Sequence, residues 1–242
     1  MDTIIHKMDN TNQNMKIDDT MFKVVELISK HPFKAFTIGE LAGLIKTNYA
    51  TTHRKISALV AQGVLSNSSY GMARQIKINL GNEKTISILS LIESSKFEGF
   101  LNSLKGTLSI SISEIIRDTS NLSESKCALI FGSYAKGTPT KESDLDILVI
   151  EEPSKEAMNF LKGEKTKLGY LKAIQSSMFG ILRTSELRGG PKINPILLSV
   201  EEHRGMINFK DNNVAKEALL SHIILKGHRV YWEEIARCIN AK

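Results

Sequence analysis

The sequence predicts an α/β (α+β) chain in two parts: a small helical domain that ends in a hairpin, and a second domain that contains strands and helices. Two observations predict this. Residues 20–80 hold three helix-like segments followed by two strand-like runs. Residues 127–150 hold two apolar, strand-like runs separated by a polar segment. We expect a flexible N-terminal tail over 1–19, connecting helices over 81–118 and the second domain over 119–242.

Composition excludes several classes of protein. The chain has 242 residues, of which 41% are hydrophobic and 24% charged, so it can bury a core and is not wholly disordered. It lacks a run of about 18 apolar residues, so we expect no membrane helix, and its polar N-terminus does not resemble a signal peptide. Cys127 and Cys238 lie far apart, outside any C-x-x-C pair, which disfavours a disulfide framework or a cysteine-rich zinc site. We expect a cytoplasmic protein.

Positive charge is concentrated near the N-terminus. Residues 20–80 carry eight Lys and Arg against two Glu, a net charge of +6 that equals the net charge of the whole chain. This asymmetry suggests a polyanionic partner for the segment, although a solvated basic surface is the simpler explanation.

Three helices are expected in this basic segment. Met21–Lys30 has apolar residues on one helical face, and Pro32 disfavours helix just beyond it. Thr37 and Glu40 form a capping box ahead of a short helix over 38–45. A third helix is expected over 48–62, with Gly63 at its C-terminus.

Two strand-like runs follow, VLSNS and RQIKINL, with SSYGM as the hairpin tip. This order, together with ATTHRKISALVAQGVLS, resembles the archaeal and bacterial winged helix-turn-helix DNA-binding domains. The resemblance implies binding of double-stranded DNA, with the third helix in the major groove and the hairpin on backbone phosphates. The residues expected to contact DNA are Tyr49, Thr51, Thr52, His53, Arg54, Lys55, Arg74 and Lys77. A protein-docking role, or a helix that merely packs against the second domain, stays open.

The segment CALIFGSYAKGTPTKESDLDILVI carries the strongest chemical signal. Asp144 and Asp146 have the i, i+2 spacing that puts side chains on one face of a strand, while Leu145, Ile147 and Val149 face the other way. Two neighbouring carboxylates repel unless a cation neutralises them, and Mg²⁺ is commonly held by one or two carboxylates plus phosphates. Gly132 would let a phosphate approach the backbone.

This segment resembles the minimal members of the DNA polymerase β-type nucleotidyltransferase superfamily. The matching positions are Gly132, Ser133, Ala135, Lys136, Gly137, Ser143, Asp144 and Asp146. The resemblance implies an α/β (α+β) nucleotidyltransferase fold with a small mixed sheet flanked by helices. It also implies up to two Mg²⁺ ions on Asp144 and Asp146, and a nucleoside triphosphate held by Gly132, Ser133, Lys136 and Ser143. It also makes Asp144 and Asp146 the catalytic pair.

The rest of the domain departs from the superfamily at one position. A third carboxylate is usual on a later strand, which we expect at about 194–200, but the nearest position is Asn194. Glu201 and Glu202 lie past that strand. Loss of a general base alone costs ~10²–10⁴-fold in rate.

The remaining segments carry weaker signals. A lysine-rich helix is expected over about 154–179, and the C-terminal segment is expected to form a helix, a turn at Gly227 and a second helix. The lone tryptophan, Trp232, is expected in the core, and His222 and His228 are expected to be structural or exposed rather than metal ligands.

Two functions follow. The first is Mg²⁺-dependent transfer of a nucleoside monophosphate from an NTP to an acceptor hydroxyl, where the acceptor is a protein such as a toxin partner, an RNA end or a small molecule. The second is a DNA-binding transcriptional regulator whose nucleotidyltransferase domain is weakly active or inactive and senses nucleotide or recruits a partner. The intact aspartate pair favours an enzyme, and Asn194 favours the regulator. A homodimer would suit a palindromic operator.

Overall fold

A computed structural model describes residues 17–70, 73–121, 125–152 and 190–240. The chain is α+β and divides into two compact units between Ile92 and Glu93. The expected lysine-rich helix over 154–179 lies outside the described residues.

The first unit has the helix-helix-helix-hairpin order that the sequence predicts. Its elements are α1 (Asp19–Ser29), α2 (Ile38–Leu44), α3 (Tyr49–Ala61), β1 (Leu65–Tyr70) and β2 (Ala73–Ile78). The predicted capping box is present: the Thr37 hydroxyl accepts a hydrogen bond from the Glu40 amide, and the Glu40 carboxylate accepts one from the Thr37 amide. Gly63 follows α3 with φ +74°, as a C-terminal glycine should. The two strands pair antiparallel and leave only residues 71 and 72 between them, a shorter tip than SSYGM.

The predicted connecting helices are α4 (Glu83–Ser103) and α5 (Thr107–Asn121). The division between the two units falls within α4. No helix among the described residues is long and apolar enough to cross a membrane.

The second unit is built on a mixed sheet of four described strands in the order β5-β4-β3-β6. Its strands are β3 (Ser125–Ile130), β4 (Leu145–Glu151), β5 (Ile193–Ser199) and β6 (Ile223–Lys226). β4 and β5 are parallel, and the other two pairings are antiparallel. The remaining described helices are α6 (Gly132–Lys136), α7 (Val200–Asn208), α8 (Val214–Leu220) and α9 (His228–Asn240). Pro195 lies in β5, at one end of the described strand order, where a residue without an N–H is tolerated.

One expectation for this unit is wrong. The C-terminal segment is not helix, turn and helix alone, because Ile223–Lys226 forms strand β6 beside β3 before the turn at Gly227. Four residues are too few for a periodic pattern to separate a buried strand from the end of a helix.

The core of the second unit fixes the orientation of β4. Leu145, Ile147 and Val149 are buried with Ile112 and Ile115 of α5 in one apolar cluster. The predicted alternation is therefore confirmed on the apolar face of the strand, and Asp146 faces away from this cluster. Trp232, expected in the core, is fully buried.

Candidate functional site

The turn between β3 and α6 is built around Gly132. Its φ of +69° is in the left-handed region, which favours glycine. A Cβ atom at this position would lie 2.3 Å from Oδ2 of Asp146. The backbone is tied to the same residue, because the Phe131 amide donates to the Asp146 carbonyl at 3.1 Å. The Asp146 carboxylate therefore lies directly against the Gly132 turn, as the motif predicts.

The two aspartates lie at the N-terminal end of β4. Asp144 immediately precedes the strand, and Asp146 is its second residue. The Asp144 side chain is 38% exposed, and Asp146 is half-buried. Both carboxylates are thus accessible to a ligand beside the glycine turn, while Leu145 between them is buried.

Strand β5 and the residue before it supply a nitrogen donor to each carboxylate. Asn194 is opposite Asp146 in the parallel register, and its side-chain Nδ2 donates to Asp146 Oδ1 at 2.9 Å. Lys192 Nζ lies 3.0 Å from Asp144 Oδ2. The Lys192 carbonyl also accepts from the Leu145 amide at 2.8 Å, which joins the two segments by their backbones. The expected third-carboxylate position is therefore beside the pair, and an amide occupies it.

Neither glutamate considered as a substitute joins the aspartates. Glu202 forms a capping box with Ser199 at the start of α7, and Glu201 is exposed in the first turn of that helix. Among the described residues, no three His, Cys, Asp or Glu side chains form a group that could hold a metal ion. Metal chemistry here would rest on two carboxylates and the substrate's own oxygens.

The other residues expected to bind nucleotide lie on or near the turn. Ser133 follows Gly132 in α6 and is half-buried. Lys136 ends α6 and pairs with Glu217 of α8 at 3.1 Å, with both side chains half exposed. Ser143 holds the loop before β4, because its Oγ accepts from the Thr140 amide at 2.9 Å. An exposed pair such as that of Lys136 is worth only about 0–1 kcal/mol, so a phosphate could replace Glu217.

The sequence interpretation missed two residues of this site. Lys192 is two residues before Asn194, so this segment carries a K-x-N spacing that mirrors D-x-D at β4. The K-x-N spacing was the signal that the sequence offered for Lys192, but the sequence alone does not show that this segment lies beside β4. Tyr134 of α6 is the second: partial burial raises its pKa, and the negative charge of Asp144 raises it further. The phenol therefore stays neutral and lies within electrostatic reach of Asp144.

The residues expected to contact DNA divide into two groups. Tyr49 is 58% exposed, Arg54 is exposed, and Thr51 and His53 are half-buried on α3. Thr52 is fully buried, and its hydroxyl donates to the Asn48 carbonyl at 3.0 Å. Thr52 therefore stabilises the start of α3 and is not on the surface.

The three other basic residues expected to contact DNA differ in their surroundings. Lys55 forms an ion pair with Asp18, the N-cap of α1. Arg74 and Lys77 are both exposed on β2, but their i, i+3 spacing puts them on opposite faces of the strand. They cannot both lie on the same face of the hairpin.

One family model matches part of the second unit. Residues 112–182 match the family model described as "Nucleotidyltransferase domain". The matched segment includes the Gly132 turn and both aspartates. No curated protein matches the chain.

Among solved structures, the chain is similar to Lactococcus lactis ZitR, described as a zinc-responsive MarR family member. That likeness has 13% identity and a TM-score of 0.29, and covers 47% of this chain and 81% of the other. A cysteine-to-serine mutant of ZitR gives the same identity and TM-score over 46% and 78%. A TM-score of this size carries no argument about the fold or function of this chain.

Proposed function

We propose that the second unit transfers a nucleoside monophosphate from an NTP to an acceptor hydroxyl, and that Asp144 and Asp146 are its catalytic pair. The acceptor oxygen would attack the α-phosphate, the bond from the α-phosphate to the β-phosphate oxygen would break, and pyrophosphate would leave. The observation that carries the proposal is the contact between the Asp146 carboxylate and the Gly132 turn. This contact brings together the two halves of the motif, the small-residue turn that would seat a triphosphate and the acids that would hold its metal ion.

The donors present fit Mg²⁺. Asp144 and Asp146 offer carboxylate oxygens at an accessible edge of the sheet, and Mg²⁺ is usually bound by one or two carboxylates together with substrate phosphates. When bound, the ion would neutralise charge on the phosphates. Gly132 and Ser133 would contact the triphosphate at the turn, Lys136 would add a positive charge, and Ser143 would keep the loop before Asp144 in place. Catalysis would come mainly from positioning and electrostatic stabilisation.

A labelling experiment tests the activity. The protein is incubated with Mg²⁺, each of four α-labelled NTPs and a cell lysate, beside an Asp144→Asn/Asp146→Asn variant. Transfer of label to a macromolecule or small acceptor that disappears in the variant supports the proposal. Absence of transfer with every NTP, while nucleotide still binds, would support the alternative below.

The second candidate is a DNA-binding regulator whose nucleotidyltransferase domain binds nucleotide without efficient turnover. The amide of Asn194, placed directly beside Asp146, favours it, since an amide cannot accept the proton of an acceptor hydroxyl as a carboxylate can. The two functions are compatible in one protein, for example an enzyme that represses its own operon.

We propose DNA binding for the first unit on the basis of its element order and its net charge of +6 over 20–80. The exposed Arg54 on α3 is the sharpest test. Replacing Arg54 and Lys55 by Ala should weaken binding to duplex DNA, and should lower the slope of log K against log salt by about 1 for each phosphate that is no longer neutralised. Thr52→Ala is the contrast, because its side chain is buried. Unchanged affinity and slope in the double variant would remove α3 from the interface.

A further inference from the structure

The two carboxylates of the site differ in the partner that each receives from the neighbouring segment. Asp146 receives a neutral amide donor from Asn194 at 2.9 Å. Asp144 receives a full positive charge from Lys192 at 3.0 Å. The formal charge of this group of four side chains is therefore −1, whereas the aspartate pair alone would carry −2. A third carboxylate at position 194, with no lysine nearby, would bring the charge to −3.

Charge count is one of the main determinants of how many cations a group of oxygen ligands holds and how tightly. The Lys192 ammonium neutralises the charge of the Asp144 carboxylate, which a divalent ion would need as a ligand. Any divalent ion that approached Asp144 would also be repelled by the ammonium at short range. The ammonium and a divalent ion therefore compete for Asp144.

We propose that Lys192 is a built-in cation that takes the place of a second divalent ion at Asp144, so that the site binds one divalent ion. This inference rests on the proposed metal-dependent nucleotide site. The Lys192 side chain is 70% exposed, so its ammonium can contact phosphate oxygens on the open side as well as Asp144. Lys192 thereby supplies a second positive charge, beside Lys136, for the triphosphate.

A surface ion pair elsewhere in the same unit gives a matched control. Lys126 Nζ lies 3.1 Å from Glu152 Oε2, with side chains 44% and 58% exposed. The chemistry, separation and exposure resemble those of the Lys192–Asp144 pair. Lys126→Met therefore removes a paired lysine and one positive charge from the same unit without touching the aspartates.

The experiment counts Mn²⁺ ions bound to the full chain by electron paramagnetic resonance, with and without a nonhydrolysable ATP analogue. Five proteins are compared: wild type, Lys192→Met, Lys192→Arg, Lys126→Met and Asp144→Asn/Asp146→Asn. Melting temperatures measured in EDTA check that every variant is folded. We expect one ion on wild type, on Lys192→Arg and on Lys126→Met. We expect Lys192→Met to gain a second ion, or to bind its ion about tenfold more tightly because one repelling charge is gone.

Each other result is decisive. Equal ion counts and affinities in wild type and Lys192→Met would overturn the role of Lys192 while leaving the metal site intact. Weaker Mn²⁺ binding in Lys192→Met would overturn the inference, because it would show that the lysine supports metal binding by orienting Asp144. Two ions on the wild type would overturn it as well. Failure of both wild type and Lys192→Met to bind Mn²⁺ would remove the metal site itself, and with it the proposed function. Binding that persists in the double aspartate variant would place the ion elsewhere and overturn both.

Discussion

Replacing Gly132 by alanine tests the geometry on which the site depends. The new Cβ would lie 2.3 Å from Asp146 Oδ2, whereas ordinary contacts begin at 3.4 Å, so the carboxylate oxygen has to move by about 1 Å. The alanine would also have to adopt the left-handed conformation that Gly132 adopts at φ +69°. That conformation costs roughly 1–2 kcal/mol for a residue with a Cβ.

The movement of Asp146 adds to this cost. Loss of the hydrogen bond from Asn194 contributes about 1 kcal/mol, so Gly132→Ala should destabilise the folded state by about 2–3 kcal/mol in total. Displacing a carboxylate of the proposed metal site should also weaken divalent-cation and nucleotide affinity by about 10–100-fold. Stability is measured by chemical denaturation in EDTA, and affinity by Mn²⁺ and nucleotide titration.

Gly137 provides the matched control at the end of the same short helix. It has nearly the same backbone conformation, φ +72°, but a Cβ there would meet nothing within 4 Å. Gly137→Ala should therefore cost only the roughly 1–2 kcal/mol of backbone strain and leave cation affinity within about twofold of wild type. If the two alanine variants have the same stability and the same Mn²⁺ affinity, Asp146 does not lie against the turn and the proposed site is wrong.

Three further predictions concern the second unit. Burial, together with the positive charge of Arg204, lowers the pKa of His203 to about 4. Between pH 6.5 and pH 4 the imidazole is therefore protonated in the unfolded chain but not in the folded one, and the free energy of unfolding should fall by up to about 3 kcal/mol as pH falls through this range. Denaturation curves measured at several pH values should show this fall, and His203→Leu should reduce it. Gly227→Ala should destabilise the folded state by at least about 2 kcal/mol in the same assay, because the new Cβ would lie 2.2 Å from the Lys126 carbonyl oxygen. A denaturation midpoint equal to that of the wild type would contradict this prediction. Cys127 and Cys238 are buried, and burial raises the pKa of the Cys127 thiol, so neither should react with a thiol reagent until the protein is denatured.

The sequence predicted the parts of the fold that depend on local pattern. The capping box at Thr37 and Glu40, the glycine after α3 and the apolar alternation of β4 are set by residues within a few positions of one another. They were confirmed for that reason. Strand β6 depends instead on pairing with β3, about 95 residues away along the chain, and its four residues carry no periodicity of their own.

The same distinction separates Arg54 from Thr52. Both are polar residues in the first half of α3, and both side chains can form hydrogen bonds to DNA. The helical face decides between them: Thr52 and Ile56 are four residues apart and both are buried, whereas Arg54 lies on the exposed side. Applying the 3.6-residue period to the polar positions as well as the apolar ones would have separated the two.

The site itself shows what a motif leaves undetermined. D-x-D specifies two carboxylates on one strand, but the parallel register of β4 and β5 decides what faces them, and that register joins residues 48 positions apart. A shift of one residue would place Ile193 or Pro195 opposite Asp146 and turn the Lys192 and Asn194 side chains to the other face. Because the observed register instead directs one cation and one amide to the two aspartates, the net charge of the site depends on the β5 segment as well as on the motif. If the proposed site exists, substitutions at residues 192 and 194 should therefore change metal binding without changing the fold.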